Sequence, residues 1–251
     1  MSDDWIEVGG FGCVISSEPA SRGWIPAGFP MANGGFWTYQ EPDAVVVVQN
    51  DRLRVAAVPF TRAHDETQFF DNAKHMYFST SSFEAPKGGR LTVEWEMSAL
   101  VIGGRGDDDL YDGFVSFHLM DLAAGVAIDV FTANRVLATV YARLPFPGAN
   151  APRREGGPRY FSLFDEFRGL TEPGQSHRYA IVYDRGEATL EWFMDEKLLK
   201  KEAKVPDIGR SILALGMMTE KDIVPGKGSV SCHGQGAVAT WGGIRVKTEA
   251  R

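Results

Sequence analysis

The segment from residue 113 to residue 144 constrains the fold more than any other part of the chain. It reads GFVSFHLMDLAAGVAIDVFTANRVLATVYARL and predicts three consecutive strands, Phe114 to Asp121, Val126 to Phe131 and Arg135 to Leu144. In the third strand, apolar and polar side chains nearly alternate, as they do in a strand with one buried face. The connections are tight, so neighbouring strands are expected to pair antiparallel. The segment therefore predicts the middle of an antiparallel β-sheet.

Short alternating runs also fill much of the remaining sequence, and long amphipathic helical patterns are absent from it. The runs predict further strands at Ala44–Val48, Leu53–Val58, His75–Ser79, Leu91–Ser98, Tyr179–Tyr183, Glu187–Phe193, Ser211–Met218 and Ala237–Val246. Between them, 28 glycines and 13 prolines act as turn signals. A chain of 251 residues with this pattern predicts one all-β domain, a two-sheet antiparallel sandwich or a barrel, with a sizeable core.

Two segments lack this periodicity. Residues 1–43 form an N-terminal arm rich in aromatic residues, which predicts either an extended arm packed on the sandwich or a lid over a cleft. Residues 145–176 form the longest irregular segment, and a loop of this length inside a compact domain is usually functional or carries short structure of its own. Within it, Phe161 to Phe167 suggests a helical turn, and the whole segment is a candidate lid.

The charge and the ends of the chain limit the classes of partner. The net charge is −7 and the isoelectric point is about 5.3, so the basic face that nucleic acids or anionic membranes require is not visible. Two cysteines, Cys13 and Cys232, do not make a disulfide framework and are expected to be thiols. The start, MSDDWIEVGG, lacks the features of a signal peptide, and no apolar run is long enough to span a membrane. We expect a soluble, cytoplasmic protein.

The polar side chains of the segment 113–144 suggest a site. We predict that His118, Asp129, Tyr141 and Arg143 meet on one sheet face, with Arg135 nearby. An imidazole oriented by a carboxylate is suited to general acid–base catalysis, and the tyrosine and arginines would hold an oxyanion. The alternative is a hydrogen-bonded pair between strands on an ordinary solvated face. A slip of one residue in register would point the set inward.

A second group of polar residues precedes this segment. His64, Lys74, His75 and Tyr77 are candidate substrate-binding residues at the rim of a cleft, and Lys74 is also a candidate Schiff-base lysine. The alternative for the group is turn capping and surface charge, which are common roles for polar loop residues.

Signals for a cofactor are weak. Asp107, Asp108, Asp109 and Asp112 form an acidic loop that is a candidate calcium site or simply a solvated loop. The sequence contains no zinc signature, no phosphate-binding glycine loop and no nucleophile elbow. We therefore expect a protein without a cofactor, with calcium as the open option.

One stretch carries a family resemblance. HRYAIVYDRGEATLEWFMDEKLL resembles a hairpin of the concanavalin A-like lectin/glucanase jelly roll, with the sharp turn at Asp195-Glu196-Lys197. The runs ILALGMMTE and GQGAVATWGGIRV suit the last strands of that fold. With DNAKHMYFST and DGFVSFHLMD, most of the chain also resembles an uncharacterised bacterial family of unknown function. The resemblance implies a jelly-roll sandwich of two antiparallel sheets and brings no activity with it.

The same resemblance allows a test for glycosidase activity. Glycoside hydrolase family 16 shares the jelly roll and carries a Glu-x-Asp-x-Glu strand whose carboxylates lie on the concave face. The matching strand here reads Ala127-Ile128-Asp129-Val130-Phe131, so only the middle carboxylate is present. The sequence therefore excludes a glycosidase of the family 16 type.

Three functions stay open at this point. The first is a cofactor-independent enzyme that acts on a small organic molecule by acid–base chemistry, as an isomerase, cyclase, lyase or hydrolase. The second is a non-catalytic module that binds a carbohydrate or another ligand through exposed aromatic residues such as Trp192 and Trp241. The third is a structural partner domain whose polar face is only hydrated. An enzyme should show a closed pocket around a histidine, and a lectin should show an open aromatic groove.

Overall fold

The computed structural model describes residues 5–15, 23–146, 148–149 and 159–251. In chain order its strands are β1 Ile6–Glu7, β2 Trp24–Pro26, β3 Gly28–Pro30, β4 Phe36–Thr38, β5 Val45–Gln49, β6 Arg52–Ala57, β7 Ala73–Phe83, β8 Arg90–Ile102, β9 Phe114–Asp121, β10 Val126–Thr132, β11 Val136–Arg143, β12 Phe161–Arg168, β13 Ser176–Asp184, β14 Thr189–Met194, β15 Lys197–Ala203, β16 Ser211–Met218 and β17 Gly236–Glu249. Two short helices are α1 Gly12–Ile15 and α2 Gln68–Asn72. Within these ranges no helix has the length and apolar character needed to cross a membrane.

The strands form two large sheets. Sheet A has the spatial order β15-β14-β13-β8-β17-β6-β5, with β1 beside β17, and sheet B has the order β12-β11-β10-β9-β16-β7-β2. Strands β3 and β4 form a separate hairpin. The pairings along β9, β10 and β11 are antiparallel, as are those along β8, β13 and β17. The predicted all-β jelly-roll sandwich of two antiparallel sheets is confirmed, and β9 and β16 have the predicted bounds.

Local sequence explains the turns between paired strands. Strands β5 and β6 are joined through Asn50 and Asp51, whose φ angles of 52° and 53° lie in the left-handed region. Two-residue hairpin turns of this kind need such angles, and Asn and Asp tolerate them better than most residues. The sharp turn between β14 and β15 likewise has Asp195 and Glu196 at φ 48° and 67°.

Large aromatic side chains fill the space between the two sheets. Trp95 of β8 stacks on Phe117 of β9 with 3.9 Å between ring centroids, and Tyr179 of β13 stacks on Trp95. Trp192 and Trp241 are each only 1% exposed. The prediction that these two tryptophans are exposed is therefore wrong, because they belong to the alternating core faces of β14 and β17 rather than to the surface.

The face of sheet B that points away from sheet A, which we call the outer face, is covered by aromatic side chains. Phe78 of β7 lies on this face, and Phe29 of β3 packs edge-to-face on it with centroids 5.9 Å apart. Phe69 of α2 contacts Phe29, and Phe146 contacts Phe69, each at 5.7 Å. The N-terminal arm thus packs over the outer face. Its residues 1–4 and 16–22 lie outside the described residues.

The segment 145–176 contains a strand where a helical turn was expected. Strand β12 pairs with β11 along its whole length, so the helical turn predicted for Phe161 to Phe167 is wrong. Pairing at the sheet edge satisfies the backbone groups that a helix would satisfy internally. The lid predicted for this segment falls in part on residues 147 and 150–158, which lie outside the described residues.

Candidate functional site

The centre of the outer face of sheet B carries three hydrogen-bonded polar side chains. Strands β9 and β10 pair so that His118 lies directly opposite Asp129, and Ser116 lies two residues before His118 on the same face. The His118 Nδ1 atom is 2.8 Å from Asp129 Oδ1, and its Nε2 atom is 2.7 Å from Ser116 Oγ. We call these three residues the relay. The structure confirms that His118 and Asp129 come together.

The chemistry of the partners fixes the hydrogen positions in the relay. An ionised carboxylate only accepts hydrogen bonds, so His118 Nδ1 donates to Asp129. In the tautomer with its hydrogen on Nδ1, the ring has its lone pair on Nε2, which accepts the hydroxyl hydrogen of Ser116. Ser116 is fully buried, and His118 and Asp129 are each 4% exposed. Burial raises the pKa of Asp129, and the His118 ring opposes that rise.

A glycine on the neighbouring strand makes room for the relay. Gly216 of β16 lies opposite Ser116, and a Cβ atom at this position would lie 2.5 Å from Ser116 Oγ and 3.1 Å from His118 Nε2. The Met76 methyl group would be 3.5 Å from the same point. Any larger side chain at position 216 would therefore displace the serine or the imidazole.

A half-buried carboxyl group lies at the edge of the relay. Glu220 follows β16, and its backbone N–H donates to the carbonyl of Tyr111 over 2.9 Å. Burial, together with the nearby carboxylates of Asp129 and Asp222, raises the pKa of Glu220 to about 7. A substantial fraction of Glu220 is therefore protonated at neutral pH, so this carboxyl can donate a proton next to the relay.

Aromatic rings border the relay toward β12. Phe131 stacks on Phe114 with centroids 4.3 Å apart and meets the His118 ring edge-to-face at 5.8 Å. Phe164 of β12 contacts Phe131, and the exposed ring of Tyr111 stacks on Phe164, each at 6.1 Å. The side of the relay toward β12 is therefore lined by aromatic rings, and the ion pair of Glu166 with Arg168 lies on the same face of β12.

Two of the predicted partners lie on the other face of the sheet. Tyr141 pairs with Ile128, which pairs with Leu119, and this row faces the core between the sheets together with Phe117. Arg143 has the same parity as Tyr141 and is also buried on the core side. The prediction that Tyr141 and Arg143 join His118 and Asp129 is therefore wrong.

The turn between β10 and β11 explains this error. The Ala133 N–H donates to the Val136 carbonyl, so the turn contains only Asn134 and Arg135. This spacing pairs Asp129 with Val140 rather than with Tyr141. Arg135 itself lies in the turn and forms an exposed ion pair with Glu172 at 3.2 Å, so its predicted place beside the relay is also wrong.

The other predicted binding residues are divided between the core and a buried loop cluster. His75 and Tyr77 face the core, where His75 Nε2 and the Tyr77 hydroxyl are 2.7 Å apart and burial lowers the pKa of His75 to about 4. Lys74 is fully buried, and its ammonium donates to the carbonyls of Arg62 and Asp71 and to Ser231 Oγ. These hydrogen bonds hold the chain segments of Arg62, Asp71 and Ser231 against Lys74.

His64 lies at the surface beside this cluster. Its backbone N–H donates to Asp71 Oδ1, and its ring meets Trp37 edge-to-face with centroids 4.9 Å apart. The ring of Trp37 is also covered by the Arg62 guanidinium, at 4.2 Å. His64 is therefore a loop residue packed against aromatic side chains, and among the described residues none of its contacts is with the relay.

The carboxylates of the acidic loop accept hydrogen bonds from other groups of the protein. Asp107 accepts from Asn134, Asp109 accepts from the Tyr111 backbone, and Asp112 accepts from Arg105, His233 and Lys221. Among the described residues, no group of three or more potential metal ligands converges, and Asp108 joins none. The calcium option stays a prediction.

Sequence reasoning missed Ser116 as a member of the site and missed Glu220 altogether. Ser116 was visible as part of the polar face of its strand, since it precedes His118 by two residues. Glu220 lies just after β16, more than ninety residues further along the chain, and the pairing of β16 with β9 brings it near Asp129.

Sequence comparison places the chain in a family. Residues 8–250 match the model of the Family of unknown function (DUF6081). The chain belongs to this family. Comparison of the sequence with curated proteins gives no match. The predicted resemblance to a family of unknown function is therefore confirmed, and membership of the DUF6081 family assigns no activity.

Solved structures share the fold of this DUF6081 protein. The β-glucanase of Bacillus licheniformis is similar with a TM-score of 0.54 and 12% identity, covering 93% of this chain and 95% of that one. LamA of Z. galactanivorans, in complex with laminaritriose and laminaritetraose, is similar with a TM-score of 0.55 and 12% identity, covering 89% and 91%. The alginate lyase AlgAT5 of polysaccharide lyase family 7 is similar with a TM-score of 0.51 and 12% identity, covering 90% and 94%. The concanavalin A-like jelly roll is confirmed, and identities this low show the fold alone.

The strand that carries Asp129 also bears on the family 16 mechanism. Ala127 and Phe131 share the outer face with Asp129 because side chains alternate along β10. Phe131 is packed against Phe114 and His118. The two flanking positions that the glycosidase mechanism needs as carboxylates thus hold a methyl group and a buried ring.

Proposed function

We propose that this protein is an enzyme that works by general acid–base chemistry on the outer face of sheet B. The observation that supports it most is the relay, in which Asp129 orients His118 and His118 accepts the Ser116 hydrogen, all beneath the surface. A buried imidazole with a carboxylate on one nitrogen is a well-oriented base. Glu220 would supply the acid, since its pKa is about 7.

The charge around the relay favours a neutral substrate. Asp129, Glu220 and Asp222 bring carboxyl groups to one place, whereas Glu166 at the rim is paired with Arg168 at 2.9 Å and adds little charge. An anionic substrate would be repelled there, since like charges in a partly buried site cost more than in water. Neutral hydroxylated molecules, either small metabolites or short oligosaccharides, suit this surface, and the rings of Phe164 and Tyr111 offer apolar contact. We propose that the reaction needs no cofactor.

A non-catalytic binding module is the second candidate. Similar structures are named for enzymes that act on β-glucan and alginate, and one holds laminari-oligosaccharides. This fold can therefore bind carbohydrate chains, with or without catalysis. The tryptophans that would have formed an open platform are instead in the core. An exposed Tyr111 ring beside Phe164 is the observation that keeps this candidate.

The test is a pair of substitutions at two histidine–carboxylate pairs, each with a buried histidine; Asp129 of the first pair is buried and Asp195 of the second is exposed. His118→Gln removes the base of the relay, and His177→Gln removes the pair that His177 Nδ1 forms with Asp195 over 2.6 Å in sheet A. Product release is measured for both variants with neutral chromogenic glycosides, carboxylic esters and laminari-oligosaccharides. We expect His118→Gln to lower kcat/KM about 100-fold or more, as for loss of a general base, and His177→Gln to stay within about threefold.

The contrary result is equally clear. If no compound in the panel is turned over, but oligosaccharides bind to the wild type and to His118→Gln with the same Kd, the binding module is the better account. Asp129→Asn checks the orientation of the base and should resemble His118→Gln in kcat. All variants are compared at equal folded fraction by near-ultraviolet circular dichroism.

A further inference from the structure

We infer that Ser116 is the nucleophile of this site and that the reaction passes through an acyl group held on its Oγ atom. The inference rests on the proposed function and names its substrate class, a neutral carboxylic ester. Both ring nitrogens of His118 are engaged inside the protein, Nδ1 by Asp129 and Nε2 by Ser116. The base therefore has one proton within reach, the hydroxyl proton of Ser116.

The distances meet the requirements of an activated nucleophile. A nucleophile and its base must lie within about 2.6–3.2 Å, and the base must be held by a third group. Ser116 Oγ and His118 Nε2 are 2.7 Å apart, and His118 Nδ1 and Asp129 Oδ1 are 2.8 Å apart. Serine, histidine and aspartate in this order act as nucleophile, base and orienting group on unrelated folds, so the set is recognised by geometry and not by fold.

The neighbouring strand is shaped to leave Ser116 Oγ uncrowded. A methyl group at Gly216 would lie within 3.1 Å of both Oγ and Nε2, where it would hinder attack on a carbonyl. The flexible end of Met76 borders the same space, and unbranched methionine side chains change rotamer readily. Since Ser116 is fully buried, an ester reaches it only when the side chains above it move. Met76, itself fully buried, is the adjustable side chain that borders this space, and the residues above it must move with it.

The reaction at Ser116 has two stages, transfer of the acyl group to Oγ and its release to water. Ser116 Oγ bonds to the carbonyl carbon while its proton moves to His118 Nε2, and Asp129 stabilises the imidazolium. The carbon–oxygen bond to the alcohol then breaks, and Glu220 gives its proton to the leaving oxygen. Water attacks the acyl carbon, the Glu220 carboxylate takes a proton from that water, and Nε2 returns the first proton to Ser116 Oγ as the bond to the acyl carbon breaks. The net reaction is ester plus water to carboxylic acid plus alcohol.

A fluorophosphonate probe tests this without knowledge of the natural substrate. Such a probe bonds through phosphorus to an activated serine with loss of fluoride. The full chain is incubated with a biotin-linked fluorophosphonate, and the adduct is located by peptide mass spectrometry. We expect one adduct at Ser116, none in Ser116→Ala, and labelling at least about 100-fold slower in His118→Gln. Met76→Ala should label faster than the wild type, and Gly216→Ala more slowly.

The control serine is Ser231, which is also fully buried and lies 2.7 Å from the Lys74 ammonium. An adduct at Ser231, or no adduct in either the wild type or Met76→Ala, overturns the inference. Turnover measurements on the variants distinguish failure of the serine nucleophile from failure of the proposed acid–base function. If Ser116→Ala keeps ester or glycoside turnover that His118→Gln loses, the acid–base enzyme stands and the nucleophile does not. Ser116→Cys, labelled by iodoacetamide, replaces Ser116→Ala if that variant does not fold.

Discussion

At the scale of single residues, the site depends on how burial sets the charge of Glu220. Its pKa is about 7 in the folded protein, against an ordinary value of 4.5. Burial is the largest cause, because the low dielectric around the carboxyl disfavours its ionised form, and the carboxylates of Asp129 and Asp222 add to it. Glu220 can therefore serve as an acid at neutral pH, where an exposed glutamate is fully ionised.

The same shift predicts a pH-dependent stability. Between pH 4.5 and 7 the folded protein binds more protons at Glu220 than the unfolded chain does, so stability falls as pH rises through this window. The Glu220→Gln variant has no carboxyl to titrate at this position, so its stability does not fall for this reason as pH rises. We expect this variant to exceed the wild type in unfolding free energy by about 1–3 kcal/mol at pH 8 and to match it at pH 4.

Urea denaturation at the two pH values measures the difference. Glu66→Gln, at an exposed loop position, is the matched control and should change the unfolding free energy by less than about 0.5 kcal/mol at either pH. A stabilisation of Glu220→Gln that is equal at pH 4 and pH 8 would show that the carboxyl is not titrating in this window. Kinetically, the proposed role of Glu220 as acid predicts that wild-type activity declines above pH 7.

At the scale of strands, the alternation of side chains decides which residues can cooperate. His118 and Asp129 share the outer face because β9 and β10 pair them directly, whereas Tyr141 is one residue out of phase with Asp129. We therefore expect Tyr141→Phe to leave kcat/KM within about threefold of the wild type, while Phe131→Ala, which removes a ring in contact with His118, lowers it by more than about tenfold.

Steady-state kinetics on whichever panel compound is turned over measures both variants. A loss of kcat in Tyr141→Phe as large as that in His118→Gln would place the tyrosine in the site and contradict the pairing of β10 with β11. Near-ultraviolet circular dichroism confirms that each variant is folded before its rate is compared.

The strands also show what a sequence alone can predict. Alternation located β9 and β16 to the residue, because each strand has one face toward the core and clear turn residues at its ends. It failed for β12, where Phe161, Phe164 and Phe167 have the spacing of a helix but lie at a sheet edge with both faces half-exposed. The pairing of His118 with Asp129 was predictable from neighbouring strands. The positions of Glu220 and Gly216 near the relay were not predictable, because they depend on the pairing of β16 with β9, which are distant in the chain.

At the scale of the whole molecule, strand β9 packs against sheet A with one face and carries the relay residues on the other. Phe117 of β9 packs on Trp95 in the core, while its neighbours Ser116 and His118 point to the outer face. A site built on a central strand is positioned by the core behind it, and such sites are held more precisely than sites on loops. The aromatic cover of Phe29, Phe69 and Phe146 lies over the same outer face, where it contacts Phe78 of β7.

The charge of the molecule reinforces that of the site. A net charge of −7 and the carboxyl groups around the relay give the outer face a negative potential that disfavours anionic ligands at long and short range. We therefore expect laminaritriose to bind at least about tenfold more tightly than an alginate trisaccharide, as measured by isothermal titration calorimetry in 50 mM salt.

Ionic strength separates this electrostatic cause from a difference in shape. At about 0.5 M salt the screening length falls to a few ångströms, so the preference should narrow if repulsion between exposed charges causes it. Glu220→Gln should narrow this preference further, because it removes a carboxyl that interacts with Asp129 and is partly ionised at neutral pH. Tighter binding of the alginate trisaccharide at low salt would show that the ligand sits on a cationic surface, and the outer face of sheet B could then not be its site.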